Sequence, residues 1–461
     1  MNKISLYIFT RDLRLNDNIP LNNALKESKI VIPIFIFNPK QIDDKNKYKS
    51  NNCVQFMCES LDSLDKQLNK KGSRLFYFYD DPKDILSNLI VKLKLDAIYI
   101  SKDYTQFASD REDMIEQLCD KYKIKFVAEE NHMLTSVTSN LKDDGTSYVK
   151  FTPYYRIAKK IAVNKIENNN KTNYFKKNNS IDGEYKKSIH DFYKKNDNVL
   201  VRGGLDNAIK ILKDIKKYNK YNTERDIPST NGTTHLSAYL KFGVVSVREV
   251  YWVFKKYLTA SNKLFTQLYW RDFYMQLLYY HQYALYGPLR KNYDKIKWED
   301  DSKKIKAWKT AKTGIPIIDA AINEMITTGY MHNRCRMIVA NFLIKILRCN
   351  WQIGEQFFAN HLVDYDPANN SGGWQWSASS STDSQPYFRI FNPWRQMEKF
   401  DSECKYVKKW LPQLKDVPNK DILKWNETYD KYKNIKYSKP IVEDIQEEVK
   451  KTLKIYEAIF K

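Results

Sequence analysis

No CxxC pair and no Cys–His spacing of the metal-ligand kind links Cys53, Cys58, Cys119, Cys335, Cys349 and Cys404. Zinc and iron–sulfur sites are therefore not expected, and the thiols read as those of a reduced, intracellular protein. No apolar run reaches the roughly 20 residues that span a bilayer, so no membrane partner is expected. Met1 leads straight into ISLYIFTRDLRL, which reads as a buried strand and not as a secretory leader. Neither GxGxxG nor GxxxxGK[ST] occurs, which excludes an ordinary nucleotide enzyme built on either phosphate loop. Fixed-period repeats are missing too. What remains is a soluble protein, expected to act as a monomer in cytoplasm or nucleus.

The 461 residues suffice for two or three domains, and 42% hydrophobic residues allow a large core. Lys and Arg total 77 against 55 Asp and Glu, a formal net charge of +22. A soluble chain this basic suits a polyanionic partner, although much of the excess is Lys scattered among Asn, Ile and Tyr. Aromatic residues make up 14%. Most of them fill the core, but such rings also stack on bases and flat cofactors.

Residues 1–130 alternate short β-rich runs (ISLYIF, IVIPIFIF, SRLFYFY, DAIYIS) with helical stretches such as VQFMCESLDSLDKQLNKKG, for which Gly72 is the expected C-terminal cap. That rhythm predicts an α/β domain with a doubly wound parallel sheet. Residues 131–200 turn polar. NKIENNNKTNYFKKNNSIDGEYKKS reads as a surface interdomain connection, partly mobile and without chemistry of its own. From 201 to 461 helical periodicity dominates, in SVREVYWVFKKYL, LFTQLYWRDFYMQLLYYH, IPIIDAAINEMITTG and NRCRMIVANFLIKIL. Strand patterns are scarce there, so an all-α domain is expected.

Four constellations in that helical part invite chemistry. In NGTTHLSAYLKFG, Thr233 and Thr234 precede an apolar helical run and Ser237 falls one turn further. Hydroxyls and free N–H groups at a helix start suit a phosphate, and serve equally as a plain N-cap. Gln267, Trp270, Arg271 and Tyr274 stand at i, i+3, i+4 and i+7, hence on one helix face. An amide, an indole and a guanidinium in one stripe suit a planar polar ligand with an anionic tail, or an Arg paired to an acid at a helix contact. Asn333, Arg336 and Met337 share another face, with Arg334 directed elsewhere, and either Asp364 or Asp366 is a partner for Arg336. Finally, NNSGGWQWSASSSTDSQPYFRIFNPWRQ holds Trp374 and Trp376 two residues apart on a scaffold of small residues.

Together these stretches resemble the photolyase/cryptochrome family, and within it the class I cyclobutane pyrimidine dimer photolyases. FTRDLRLNDN, KTGIPIIDAAINEMITTGYMHNRCRM and NNSGGWQWSASSSTDSQPYFRIFNP carry the likeness, which covers nearly the whole chain. The resemblance implies an FAD-binding helical domain, with the flavin folded into a U and active in its reduced, anionic form. It implies that Tyr221, Thr233, Thr234, Leu236 and Ser237 hold the phosphate and sugar region, with Arg271 near the diphosphate. Asn333, Arg336, Asp364, Asp366 and Asn370 would surround the isoalloxazine ring. Trp374 would be the flavin-proximal member of an electron-transfer chain continued by Trp351 and Trp298. Trp270 and Trp376 would line a pocket for the lesion, beside Gln267 and Met337. Arg334, Arg395 and Lys399 would track the DNA backbone. The implied partner is UV-damaged DNA, from which the dimer is flipped out and split by light-driven electron transfer.

Two departures qualify the likeness. Gln267 stands where most cyclobutane dimer enzymes carry Glu, while enzymes of (6-4) lesions and animal cryptochromes have Gln. Against a (6-4) role, Asn333 and Met337 stand where those enzymes have two histidines. Leu264 replaces an aromatic residue of some relatives. A non-repairing blue-light receptor is the rival class, but about 65 residues follow Phe391-Asn392-Pro393, with no evident room for a signalling tail. A second, antenna chromophore is expected, either a deazaflavin or a folate. The Asn-Glu pair typical of folate binders is not visible in YTQFASDRED.

Overall fold

A computed structural model of the chain describes residues 1–381 and 383–460. Contacts gather these into two compact units. The first comprises Met1–Asn196, Val201–Asn219 and Thr234–Gln282; the second comprises Asp197–Leu200, Lys220–Thr233 and the chain from Tyr283 onward.

The first unit is built on five parallel strands: β1 (Asn2–Phe9), β2 (Ser28–Phe37), β3 (Phe76–Tyr79), β4 (Ala97–Ser101) and β5 (Lys125–Glu129), in the order β3-β2-β1-β4-β5. The four apolar runs of the sequence form the first four strands. The fifth, KFVAE, is a half-buried edge and carries no apolar run to announce it. Leu6, Ile8, Ile32, Ile34, Ile98 and Ile100 are buried in one cluster. Each such side chain contributes about 1.5–3 kcal/mol of burial energy, and strands covered on both faces read as continuous apolar runs.

Helices α1 (Ile19–Glu27), α2 (Asn51–Asn69), α3 (Pro82–Leu93) and α4 (Gln106–Tyr122) complete the α/β layers. The C-cap of α2 is Lys70, and Gly72 supplies the left-handed turn (φ +77°) just beyond it. The FTRDLRLNDN stretch becomes a buried polar latch. Asp12 accepts from the Thr10 N–H (2.9 Å) and the Ser101 hydroxyl (2.6 Å), Arg14 donates to Asn131 Oδ1 (2.8 Å), and Asp17 pairs with Arg248 (2.9 Å). Gly243, at φ +60°, lets the chain pass this latch, since a Cβ there would lie 2.7 Å from the Asp12 Cα.

The expected boundary at residue 200 is not where the contacts divide. Two helices of the expected helical domain, α6 (Val247–Tyr257) and α7 (Leu264–Tyr280), fall in the first unit. Buried Asp272 on α7 accepts the Leu134 N–H at 2.7 Å, and Gln276 donates to the carbonyls of Val137 and Asn140. The polar segment is anchored as well. It contains α5 (Phe151–Ala158), and its Asn173–Phe175 stretch bonds both sides of Val31, extending the β2 ladder where β3 has not begun. Asn169, Tyr174, Ile181 and Ile189 are buried.

The second unit is helical, and among the described residues after 201 there is no strand. Its core is one cluster centred on α9 (Pro316–Thr328), α10 (Asn333–Asn341), α11 (Trp351–His361) and α12 (Pro367–Ala378). Trp308 from α8 (Ser302–Lys309) enters the same cluster. Five residues, Phe342–Ile346, form a π-helical turn directly after α10. Two further helices matter below: α13 (Pro393–Phe400) and α14 (Ile445–Ala458). The Trp-bearing stretch is thus a helix. Asp366 caps its start by accepting the Asn369 N–H (2.9 Å), with Pro367 at the first turn. No helix among the described residues is long and apolar enough to cross a membrane.

Candidate functional site

In the first unit, the stripe read from LFTQLYWRDFY is present on α7. Gln267, Trp270, Arg271 and Tyr274 are half-buried, while Leu268, Tyr269, Asp272 and Phe273 face the core. Leu264 is buried. The Gln267 amide donates to the Lys263 carbonyl (3.5 Å). Arg271 donates to the carbonyls of His132 (2.6 Å) and Leu240 (3.3 Å) and pairs with Asp272 (3.2 Å). Burial pushes Asp272 up to about 7, against the pull of Arg271. Thr234 lies just ahead of a five-residue helix, Ser237–Lys241, which has no side-chain cap. Its hydroxyl accepts from the Leu236 N–H at 3.4 Å, and Ser237 is exposed.

In the second unit, Arg336 is the hub. Its Nη2 donates to both oxygens of Asp364 (3.1 and 3.0 Å), and its Nε donates to the Met331 carbonyl (2.8 Å). Burial works against the guanidinium charge, but Asp364, Tyr330 and Glu324 together outweigh it and the pKa rises. The guanidinium also lies over the Tyr330 ring at 5.3 Å, and the Tyr330 hydroxyl is hydrogen-bonded to Thr233. Residues about a hundred positions apart in sequence, Thr233 and Arg336–Asp364, thus meet around one tyrosine. Tyr221 is buried beneath Arg225. Asn333 donates to the Met337 sulfur (3.8 Å) on the exposed face of α10, as the shared helix face requires.

Asn370 is held in one orientation. Its Nδ2 donates to the carbonyl of Glu355 (3.0 Å) and to Glu355 Oε1 (2.9 Å), so Oδ1 is the atom it turns the other way. Glu355 was missed in the sequence. It stands on α11 one turn after Trp351, and helical spacing alone does not tell that it meets Asn370. Of the three tryptophans expected to carry electrons, Trp374 and Trp351 are buried (2% and 3% exposed) and Trp298 is half-buried against the Tyr293–Tyr456 cluster. The Trp374 ring stands edge-on to Phe358 (4.9 Å) and to Trp308 (6.2 Å). Trp376, two residues on, is half-buried, and a Cβ on neighbouring Gly373 would meet nothing within 4 Å.

The basic residues are spread over neighbouring elements. Arg334 pairs with Asp226 (2.8 Å) and lies over the Phe400 ring at 4.4 Å. Lys399 lies over the same ring at 5.4 Å, and Arg395 and Lys399 are exposed on α13.

Two family profiles match the chain: that of the FAD binding domain of DNA photolyase over residues 264–458, and that of DNA photolyase over residues 5–170. A deoxyribodipyrimidine photo-lyase of Alkalihalophilus pseudofirmus is 32% identical over 424 residues, covering 89% of this chain and 88% of that protein. An archaeal photolyase from Sulfolobus tokodaii, solved with two FAD molecules, superposes with a TM-score of 0.87 at 37% identity, covering 99% of this chain and 100% of that one. A bacterial class III photolyase from Agrobacterium tumefaciens gives a TM-score of 0.90 at 28% identity, covering 100% and 98%. With a five-stranded parallel α/β sheet, a helical unit carrying the Arg336–Asp364 and Asn370 groups, and likeness along nearly its full length, the chain belongs to the photolyase/cryptochrome family.

Proposed function

We propose that this protein is a light-driven DNA repair enzyme that splits cyclobutane pyrimidine dimers with reduced FAD. The observation that carries the reading is the donor set around Arg336. A guanidinium kept charged by Asp364 suits an anionic ring system, and Asn370, its amide nitrogen committed to Glu355, offers a carbonyl to an N–H donor. Reduced flavin has both features, so the residues present fit it. When bound, FAD supplies the photoexcited one-electron donor for ring splitting and takes the electron back.

The chain's own part is to hold and orient. Asn333, Asp364, Asp366 and Asn370 would line the ring, with Tyr221, Thr233, Thr234, Leu236, Ser237 and Arg271 on the phosphate and sugar portion. Trp298, Trp351 and Trp374 would carry charge between solvent and an interior cofactor, a role to which the half-buried Trp298 and the buried Trp351 and Trp374 are suited. By the family likeness, Trp270 and Trp376 would contact the flipped pyrimidines through their indole faces, and Gln267 and Met337 would meet their edges. Arg334, Arg395 and Lys399 would meet phosphates.

Within the family, Met337 and Asn333 support the class I cyclobutane enzymes, whereas Gln267 favours the (6-4) reading. The deciding experiment illuminates flavin-loaded, pre-reduced protein with an oligonucleotide holding one thymine dimer, and in parallel with a (6-4) photoproduct. Recovery of thymine absorbance from the dimer alone is expected. Recovery from the (6-4) substrate alone assigns the other lesion, and none from either leaves a receptor. For the antenna, the Sulfolobus tokodaii relative with two FAD molecules and the missing Asn-Glu pair favour a flavin or deazaflavin over a folate.

A further inference from the structure

Phe151 stands in the polar stretch for which the sequence suggested no chemistry. It opens α5, where no side chain caps the helix. Its ring lies face to face with the Trp270 indole, centroids 3.6 Å apart and planes within 7°. Tyr155, one helical turn on, lies parallel to Phe151 at 5.6 Å and 9°. The other rings about Trp270 are inclined to it: Phe273 by 82° and Tyr274 by 30°.

A near-eclipsed sandwich is not the arrangement that aromatic pairs prefer, which is offset or edge-on. The pair energy of the two rings therefore does not explain why the indole lies flat on Phe151. The consequence is geometric. One π-face of Trp270 is covered by a ring that is itself 6% exposed, and the indole remains half-buried overall. A ligand packing on the Trp270 indole has only the opposite face to meet, in a plane that Phe151 dictates.

We propose that Phe151 is a positioning residue for lesion recognition. By clamping the Trp270 plane it fixes the wall met by a flipped-out pyrimidine pair, a face that bases left in the stack do not reach. This deepens the repair reading, resting on Trp270 as a lesion contact, and adds a specificity element from outside the helical family profile.

The test compares binding of dimer-containing and undamaged oligonucleotides, in the dark, by wild-type protein and by Phe151→Ala, Phe151→Leu and Phe151→Tyr. Leu keeps an apolar volume without a planar face, and so serves if the Ala protein does not fold. The expected result for Ala and Leu is about fivefold weaker binding of the dimer, the scale of one aromatic contact, with affinity for undamaged DNA and flavin absorbance unchanged. Tyr restores discrimination. Wild-type discrimination in Phe151→Leu overturns the proposal, as does equal loss on both DNAs. Because binding is read without light, absence of repair by the wild type would sink the parent reading separately.

Discussion

At the scale of single residues, the site works through side chains whose freedom has been removed. Asn370 is turned by Glu355, and Arg336 is held by Asp364. The tryptophan series makes a separable prediction. If the half-exposed Trp298 is the exit to solvent, Trp298→Phe should slow photoreduction of oxidised flavin by at least about tenfold, while repair by pre-reduced protein changes less than twofold. Equal loss of both in flash and steady-state assays would remove Trp298 from that role.

Lys345 poses a different residue-scale question. It is fully buried in the π-helical turn, with Ser379 Oγ at 3.0 Å and the Tyr456 ring at 3.5 Å, and burial drives its pKa well down. Below the unfolded value of about 10.4 the unfolded chain binds this proton more readily than the folded one, so stability rises with pH across the interval between the two pKa values. Lys345→Met removes the effect. Its urea midpoint should exceed that of the wild type most at neutral pH, with the gap closing towards pH 10. A gap independent of pH would show that the proton is not the cause.

At the scale of elements, α11 and α12 approach closely because Gly354 faces Trp374. A Cβ there would sit well inside van der Waals contact of the indole and 2.7 Å from Leu343 Cδ2. The nearest neighbour is the rigid, buried Trp374 ring, so Gly354→Ala should cost about 1–3 kcal/mol as overpacking. It should also disturb Trp374, which it would crowd directly. Urea unfolding checks the first effect and the transient absorption of the Trp374 radical the second; unchanged values for both would mean that the two helices can slide apart. The π-turn belongs to the same scale. Phe342–Ile346 interrupts the α-helical repeat between α10, which carries Arg336, and α11, which carries Trp351 and Glu355, and such turns often occur beside functional sites.

For the whole molecule, the net charge of +22 is the relevant quantity. Affinity for DNA should fall linearly with the logarithm of salt concentration, and Arg395→Ala should reduce that slope by about one. An unchanged slope would place Arg395 off the backbone path.

Much of this was legible in the chain itself. The strands β1 to β4 follow from unbroken apolar, β-rich runs, and the α7 stripe and the α10 face from the 3.6-residue period, because local geometry sets which side chains share a face. The flavin and tryptophan signatures were legible as a family likeness. What only the tertiary structure decided is which distant groups meet. No period links Asn370 to Glu355, Thr233 to Tyr330, or Phe151 to Trp270, and nothing in residues 201–282 announces that most of them pack against the sheet unit through Asp272, Gln276 and Arg248. Periodicity reports one element's exposure to its surroundings. The identity of those surroundings depends on chain closure and on which buried donors find acceptors, and both are set only when the whole chain is folded.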